Sequence, residues 1–205
     1  MANITIIGAG NMGAAIAGIA LAGGNSVQVL ARDAEKVAAA APQVTAGVVG
    51  DALTGDIVVL AVPYGVVAEV LAQYAGRLDG KVLVDLTNPV DFSTFDSLVV
   101  PVGSSAAAQI AALVPTAHVL KAFNTNFAAT LATGSVGAEK TTVLIAGDDS
   151  DAKAALAAVL TGGGIRSVDA GSLSRAHELE ALGFLQLTLA AAEKTSWTSG
   201  FALAQ

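Results

Sequence analysis

The sequence predicts an α/β fold, a doubly wound and mostly parallel sheet with a C-terminal helix and tail. Three observations carry that expectation. Short β-branched runs alternate with Ala-rich helical stretches along the chain, the rhythm of successive βαβ units. Hydrophobic residues make up 54% of the 205 residues and charged residues only 13%, a balance that builds a compact core and excludes disorder or a charged coiled coil. Much of the apolar share is small: 44 Ala and 22 Gly stand against 4% aromatics, so helices and sheet can approach closely. The length suits a single domain, 1–205, with a core over about residues 1–170 and a helix and tail over about 171–205.

Strands are expected at Ile4 to Ile7, Val27 to Leu30, Ile57 to Val62, Lys81 to Leu86, Ala117 to Ala122, Thr141 to Ala146 and Ile165 to Val168. Helices fit between them at Asn11 to Ala22, Ala34 to Ala40, Val66 to Tyr74, Ser104 to Leu113, Asp149 to Leu160 and Leu173 to Ala192. Asp33 before Ala-Glu-Lys, and Ser150 or Asp149 before Ala-Lys-Ala-Ala-Leu, are N-cap signals. Right-handed crossovers place the ligand crevice of such a sheet beyond the carboxyl ends of its strands.

Residues 1–31 carry no charged side chain, which raises the question of an export signal or a membrane span. A basic leading segment is missing, and Gly8, Gly10, Asn11, Gly13, Gly18, Gly23, Gly24 and Asn25 interrupt the stretch. The segment reads better as a buried strand, a glycine turn and a small-residue helix, with a cytoplasmic location as the default and no membrane partner. The net charge of −7 argues against nucleic acid, whose phosphates need a clustered basic surface. With no cysteine and two isolated histidines, neither a thiolate nor a metal site is expected.

The first strand runs into Gly8-Ala9-Gly10-Asn11-Met12-Gly13, which opens a helix. That context turns a weak G-x-G-x-x-G pattern into a dinucleotide fingerprint and makes the sheet Rossmann-type. Gly8 permits the tight turn, Gly10 lets backbone approach a pyrophosphate, and Gly13 lets helix and strand pack closely. At the end of the second strand, NAD enzymes place a carboxylate against the ribose 2′-hydroxyl. Here stand Ala31 and Arg32, so a 2′-phosphate meets a guanidinium in place of repulsion, and NADP(H) is favoured. Asp33 is read as the cap of the next helix.

Three later strand exits are polar or rigid: Ala61-Val62-Pro63-Tyr64, Thr87-Asn88-Pro89 and Phe123-Asn124-Thr125-Asn126. Together they suggest a pocket at the nicotinamide end. Tyr64 could cover a ring or pack under a loop. His118 and His177 read as structural residues.

At this point the chain resembles the NADPH-dependent deazaflavin (coenzyme F420) reductase family and, equally, the cytosolic oxidoreductase domain of the six-transmembrane ferric reductases. The resemblance spans almost the whole chain. It rests on Gly8-Ala9-Gly10-Asn11-Met12-Gly13, Ala31-Arg32, Ala61-Val62-Pro63, Asp85-Leu86-Thr87-Asn88-Pro89, Lys121-Ala122-Phe123-Asn124-Thr125, Ala146-Gly147-Asp148-Asp149 and Asp169-Ala170-Gly171-Ser172-Leu173. It implies NADPH on the glycine turn, its 2′-phosphate near Arg32, and F420, FMN or FAD as a flavin-like hydride acceptor stacked on the nicotinamide. Cofactor contacts are then expected from Gly8, Gly10, Asn11, Met12, Gly13, Ala31, Arg32, Ala61, Val62, Pro63, Tyr64, Asn88 and Pro89, and ring placement from Asn124 and Thr125 as catalytic candidates. Two positions depart from the deazaflavin reductases: Ala31 replaces a Ser or Thr, and Asn124 replaces a His, as in the ferric reductase domains.

Hydride transfer between stacked rings asks for orientation more than acid–base groups. The strand exits show none of the Tyr–Lys or His–Asp pairs that a carbonyl substrate needs. Tyr64 and Tyr74 are followed four residues on by Ala68 and Leu78, which removes the short-chain dehydrogenases. Pyrroline-5-carboxylate reductases share the Gly-Asn-Met-Gly start but continue into a long helical dimerisation domain. The remaining alternatives are an NADP-binding sensor module and a reductase of small imines or carbonyls. The last helix, with Leu179, Leu182, Leu185, Leu189 and Ala192, and a tail holding Trp197 and Phe201, suggest a homodimer contact.

Overall fold

The computed structural model describes residues 1–204. In chain order the elements are β1 (Asn3–Ile7), α1 (Asn11–Ala22), β2 (Ser26–Ala31), α2 (Ala34–Ala40), β3 (Thr45–Val48), β4 (Ile57–Leu60), α3 (Val67–Gln73), β5 (Val82–Asp85), α4 (Ala106–Leu113), β6 (His118–Lys121), α5 (Ala128–Thr133), β7 (Ser135–Val136), β8 (Glu139–Lys140), β9 (Thr142–Gly147), α6 (Ser150–Gly162), β10 (Arg166–Gly171) and α7 (Ala176–Ala191). Single 3-10 turns, Tyr64–Val66 and Leu173–Arg175, lead into α3 and α7. Among the described residues, no helix is long and apolar enough to cross a membrane.

Eight strands form one sheet in the order β10-β9-β6-β5-β4-β1-β2-β3. Within it, β3-β2-β1-β4-β5-β6 is a parallel, doubly wound core whose winding reverses between β1 and β4. The sheet is buried on both faces. Ile4, Ile6, Val27, Val29, Val59 and Val84 pack against α1 and α6, while Ile7, Leu30, Val58, Leu60 and Leu83 pack against α3 and α4. Alternation along each strand thus feeds two apolar layers, which is why the strands read as unbroken hydrophobic runs.

The sheet is mostly parallel, as expected, with one antiparallel pairing at its end: β9 runs antiparallel to β6, and β10 follows β9 in parallel. The connection after β6 is a six-residue helix and the β7–β8 hairpin, with no full crossover, so the chain re-enters at the edge it had just left. Consequently the ends of β9 and β10, with Asp148, Asp149 and Asp169, lie on the sheet edge opposite the glycine turn. Strand β3 escaped the sequence reading because Thr-Ala-Gly-Val at an edge has neither an apolar run nor strict alternation.

Both expected helix starts are present. Asp33 accepts the Lys36 N–H at 3.1 Å, and Asp149 accepts the Ala152 N–H at 2.8 Å. Helix α7 turns Leu179, Glu180, Gly183, Gln186 and Ala190 toward its own fold. The tail has a seat too. Trp197 lies 5.1 Å from Phe127, the Phe201 N–H donates to Gln186 Oε1, and Arg166 donates to the Leu203 carbonyl.

Candidate active site at the carboxyl edge of the parallel strands

The glycine turn occupies the point where the winding reverses. Gly8 holds φ +116°, donates its N–H to Leu30 O at 2.8 Å, and a Cβ there would collide with the Ala61 carbonyl. A Cβ on Gly13 would strike the Gly8 carbonyl, so this glycine seats α1 on the turn. Gly10 differs from both: its φ of −74° is ordinary and a Cβ would meet nothing within 4 Å. It is the N-cap of α1, no side chain caps that helix, and its first turn carries no acid. Open space before uncapped N–H groups at a positive helix end suits a pyrophosphate, so these residues fit a dinucleotide.

Beyond β2, Arg32 is exposed and makes no hydrogen bond or ion pair among the described residues. Asp33 is occupied by its cap and lies 3.5 Å from Lys36. The exits of β4 and β1 touch, through the Ala61 N–H donating to Ile7 O at 2.8 Å. Pro63 is exposed, and Tyr64 donates its hydroxyl to Gln109 Oε1 at 2.8 Å, which pins the ring beside α4. Burial, then the charges of Glu180 and Asp85, push the Tyr64 hydroxyl above the usual phenol range.

The exits of β5 and β6 are brought together, and they bind each other. Asn124 donates to Asn88 Oδ1 at 3.0 Å and to the Leu179 carbonyl at 2.8 Å, while Asn88 donates to the Asn124 carbonyl at 2.8 Å. Helix α7 rests on this pair at Gly183, where a Cβ would collide with Asn88 Oδ1. Asn124, Thr125 and Pro89 are buried. Phe123 turns the chain between β6 and Asn124 with φ +65°, a left-handed conformation in a fully packed aromatic residue. Such strain persists only where its surroundings enforce it.

Directly beneath lies a feature that the sequence reading missed. Lys121, Asp85 and Glu180 are each fully buried. The Lys121 ammonium stands 2.8 Å from Asp85 Oδ2 and 2.9 Å from Glu180 Oε1, and also donates to the Thr87 carbonyl. Glu180 in turn accepts the Ala106 N–H at 2.8 Å and the Ala107 N–H at 3.3 Å, covering the N-terminus of α4. Burial raises the Glu180 carboxyl above the usual range, against the pull of Lys121 and the Ala106 N–H. The strand exits show no Tyr–Lys or His–Asp pair among the described residues, but they cover a buried Lys–Asp–Glu cluster. The cluster reaches no solvent, so it holds the two strand exits and α7 together. A signal was available: Asp85 and Lys121 interrupt apolar strands, and the register sets them opposite each other.

Among the described residues, the one His–Asp pair lies elsewhere. His118 Nδ1 is 2.9 Å from Asp149 Oδ2 at the start of β6, on the edge away from the glycine turn. The Ala152 N–H and, less strongly, His118 hold the Asp149 carboxyl below its usual range.

Comparisons agree with this picture. The family model described as NADP oxidoreductase coenzyme F420-dependent matches residues 3–89, the N-terminal segment that holds the glycine turn, Arg32 and the β4 and β5 exits. A candidate F420-dependent NADP reductase from Arthrobacter sp. FB24 superposes with a TM-score of 0.86 at 28% identity, over 100% of each chain. A hypothetical protein of Sinorhizobium meliloti, SMa0349, is 32% identical with a TM-score of 0.75, covering 85% of this chain and 87% of its own. Metalloreductase STEAP3 of Rattus norvegicus is 30% identical over 182 residues, which is 87% of this chain and 36% of that protein. The chain thus spans about a third of the length of this curated relative.

Proposed function

We propose that the chain, whose residues 3–89 match the coenzyme F420-dependent NADP oxidoreductase model, is a member of that family and transfers a hydride reversibly between NADP(H) and a flavin or deazaflavin ring laid against the nicotinamide. The observation that carries the reading is the open space at Gly10 before the uncapped N-terminus of α1, on the sheet edge where the β5 and β6 exits bind each other. NADP(H), when bound, supplies or takes up the hydride. The turn from Gly8 to Gly13 holds the phosphates, with Ala61, Val62 and Pro63 beside it. Asn88 and Asn124 hold the wall by binding each other, so they place a ring by fixing its support. The test is to mix the protein with NADPH and, separately, F420, FMN and FAD, and to follow the nicotinamide absorbance. Oxidation above the rate without protein is expected. Turnover of an imine or carbonyl with none of the three rings would replace this reading.

Arg32 sets the choice of dinucleotide. NADPH is expected to bind at least tenfold more tightly than NADH, roughly 1.4 kcal/mol, and Arg32→Ala to erase most of that difference in fluorescence titrations. Equal affinities in the parent protein would contradict the assignment.

The assembly we propose is a homodimer through the outer face of α7. Leu185 is 50% exposed there, and Trp197 and Phe201 remain half-exposed in the tail although they touch their own fold. Light scattering at micromolar concentration should give twice the chain mass, and Leu185→Asp should return it to one. A monomeric parent would end the proposal.

A further inference from the structure

The acceptor wall does not stop at Asn124, because the tail that follows α7 continues it. We infer that Trp197 is the end wall of the acceptor pocket and selects a flat aromatic acceptor by packing its exposed indole against the ring. The inference rests on the hydride-transfer function proposed above.

The tail is a built structure. Helix α7 ends where Glu193 takes φ +56° and the Lys194 N–H donates to Leu189 O at 2.9 Å. Residues Ser196 to Ser199 then form a β-turn, closed by the Ser199 N–H donating to Ser196 O at 3.1 Å, with Trp197 as its first central residue. Hydroxyl groups brace it. Ser199 donates to Ser196 O at 2.9 Å, the Ser196 and Thr198 hydroxyls pair at 2.8 Å, and Thr195 pairs with Ser199. Such a turn presents its first central side chain at a fixed place.

That place is the β6 exit. On one side the tail returns to α7, where the Phe201 N–H donates to Gln186 Oε1 at 3.1 Å and a Cβ on Gly200 would stand 3.2 Å from the same oxygen. Gln186 is buried, about one helical turn beyond Gly183, which lies on Asn88 and Asn124. On the other side Trp197 packs on Phe127, with ring centroids 5.1 Å apart. Phe127 stands three residues after Asn124 and leads into α5, which packs on α1. Because α7 covers α4 on the opposite face of the sheet, the tail crosses the carboxyl end of β6 from one face to the other. The contacts close a circuit: Asn124 to Gly183, Gln186 to the tail, Trp197 to Phe127, and back along the chain to Asn124. Three residues of chain reach at most about 11 Å, the length of a fused three-ring system, so a ring supported by the Asn88–Asn124 pair ends at Trp197.

Phe127 covers part of the indole, and 52% of Trp197 stays exposed. An indole left half open beside a polar wall gains by covering its apolar surface with a second π-system in an offset or tilted stack. Oxidised flavins and deazaflavins are flat and electron-poor, which suits it, whereas a small carbonyl or imine has no such face.

Trp197 is the sole tryptophan of the chain, which gives the test a spectroscopic arm. With the protein saturated in NADP+, the fluorescence of FMN and of F420 should be quenched on binding to the parent. In Trp197→Phe the quenching should shrink at least about twofold, while calorimetry shows ring affinity kept within about threefold, since a phenyl ring still stacks. Trp197→Ala should raise the acceptor KM about tenfold in steady-state assays with NADPH, with NADPH affinity and melting temperature unchanged. Equal KM values and equal quenching in the parent and both variants would overturn the inference and leave hydride transfer standing. So would a variant that loses NADPH affinity in step with acceptor binding, or one that becomes monomeric while keeping the parent's KM, because either assigns Trp197 to folding or assembly and not to the ring. Should the parent neither bind nor reduce FMN, FAD or F420, the proposed function itself falls and this inference goes with it.

Discussion

Gly10→Val is expected to abolish NADPH binding while changing the stability of the nucleotide-free protein by no more than about 1 kcal/mol, the scale of an altered N-cap. The expectation follows from what surrounds the position. Its φ of −74° suits any residue, and a Cβ meets no protein atom within 4 Å, so the free protein barely registers the change. The space that valine fills is the space a pyrophosphate needs in order to reach the N–H groups of α1. Gly8→Ala should show the opposite pattern. At φ +116°, with the Ala61 carbonyl in the path of a Cβ, alanine should cost about 2 kcal/mol or more in folding, through strain and a displaced β4 exit. Calorimetric melting and NADPH fluorescence titration on both variants separate the two roles. Retained NADPH binding in Gly10→Val would remove the glycine turn from the site.

That contrast also marks what could be read from sequence. The glycine spacing after a β-branched run named the turn, because only a strand–turn–helix context makes three glycines at those intervals useful, and the turn stands where it was expected. Asp33 could be assigned to a cap because a carboxylate two places past a strand, ahead of Glu35 and Lys36, has a local use. These are short-range facts. The direction of β9 was illegible, since it depends on how far α5 and a four-residue-long pair of hairpin strands carry the chain, and periodicity says nothing of that. Glu180 was illegible for the same reason. On α7 it looks like any helical glutamate between Leu179 and Ala181, and its burial follows from the helix crossing the β5 and β6 exits, 59 residues after Lys121 in the chain. Asn124 was singled out as a candidate, but its partners, Asn88 and the Leu179 carbonyl, come from two other segments and could not be read.

The largest effect on stability is expected at Lys121. Lys121→Met replaces the ammonium by a chain of similar reach, and it strands two carboxylates in a site where all three groups are fully buried. Removing one partner of a buried ion pair costs about 3–5 kcal/mol, because the remaining charge keeps its desolvation penalty without its counterion. Asp85 retains the Thr87 N–H, and Glu180 retains the Ala106 and Ala107 N–H groups, which keeps the loss from being larger. The response to pH gives the cause away. Burial already raises the Glu180 carboxyl in the parent, so the folded protein holds that proton more tightly than the unfolded chain does. A raised carboxyl contributes stability that is complete below its ordinary pKa and is lost as pH climbs through the raised value. Without Lys121 the main force lowering Glu180 is gone, so Lys121→Met should lose stability more steeply than the parent as pH rises from the ordinary carboxylate range to neutrality. Adding Glu180→Gln removes one titrating group and should restore part of the loss at neutral pH, while flattening the pH dependence. Urea unfolding of the parent, the single variant and the double variant across that range measures all three. If Lys121→Met unfolds with the parent's midpoint and pH profile, the cluster does not hold the β5 and β6 exits and α7 together, and the wall of the proposed acceptor site loses its support.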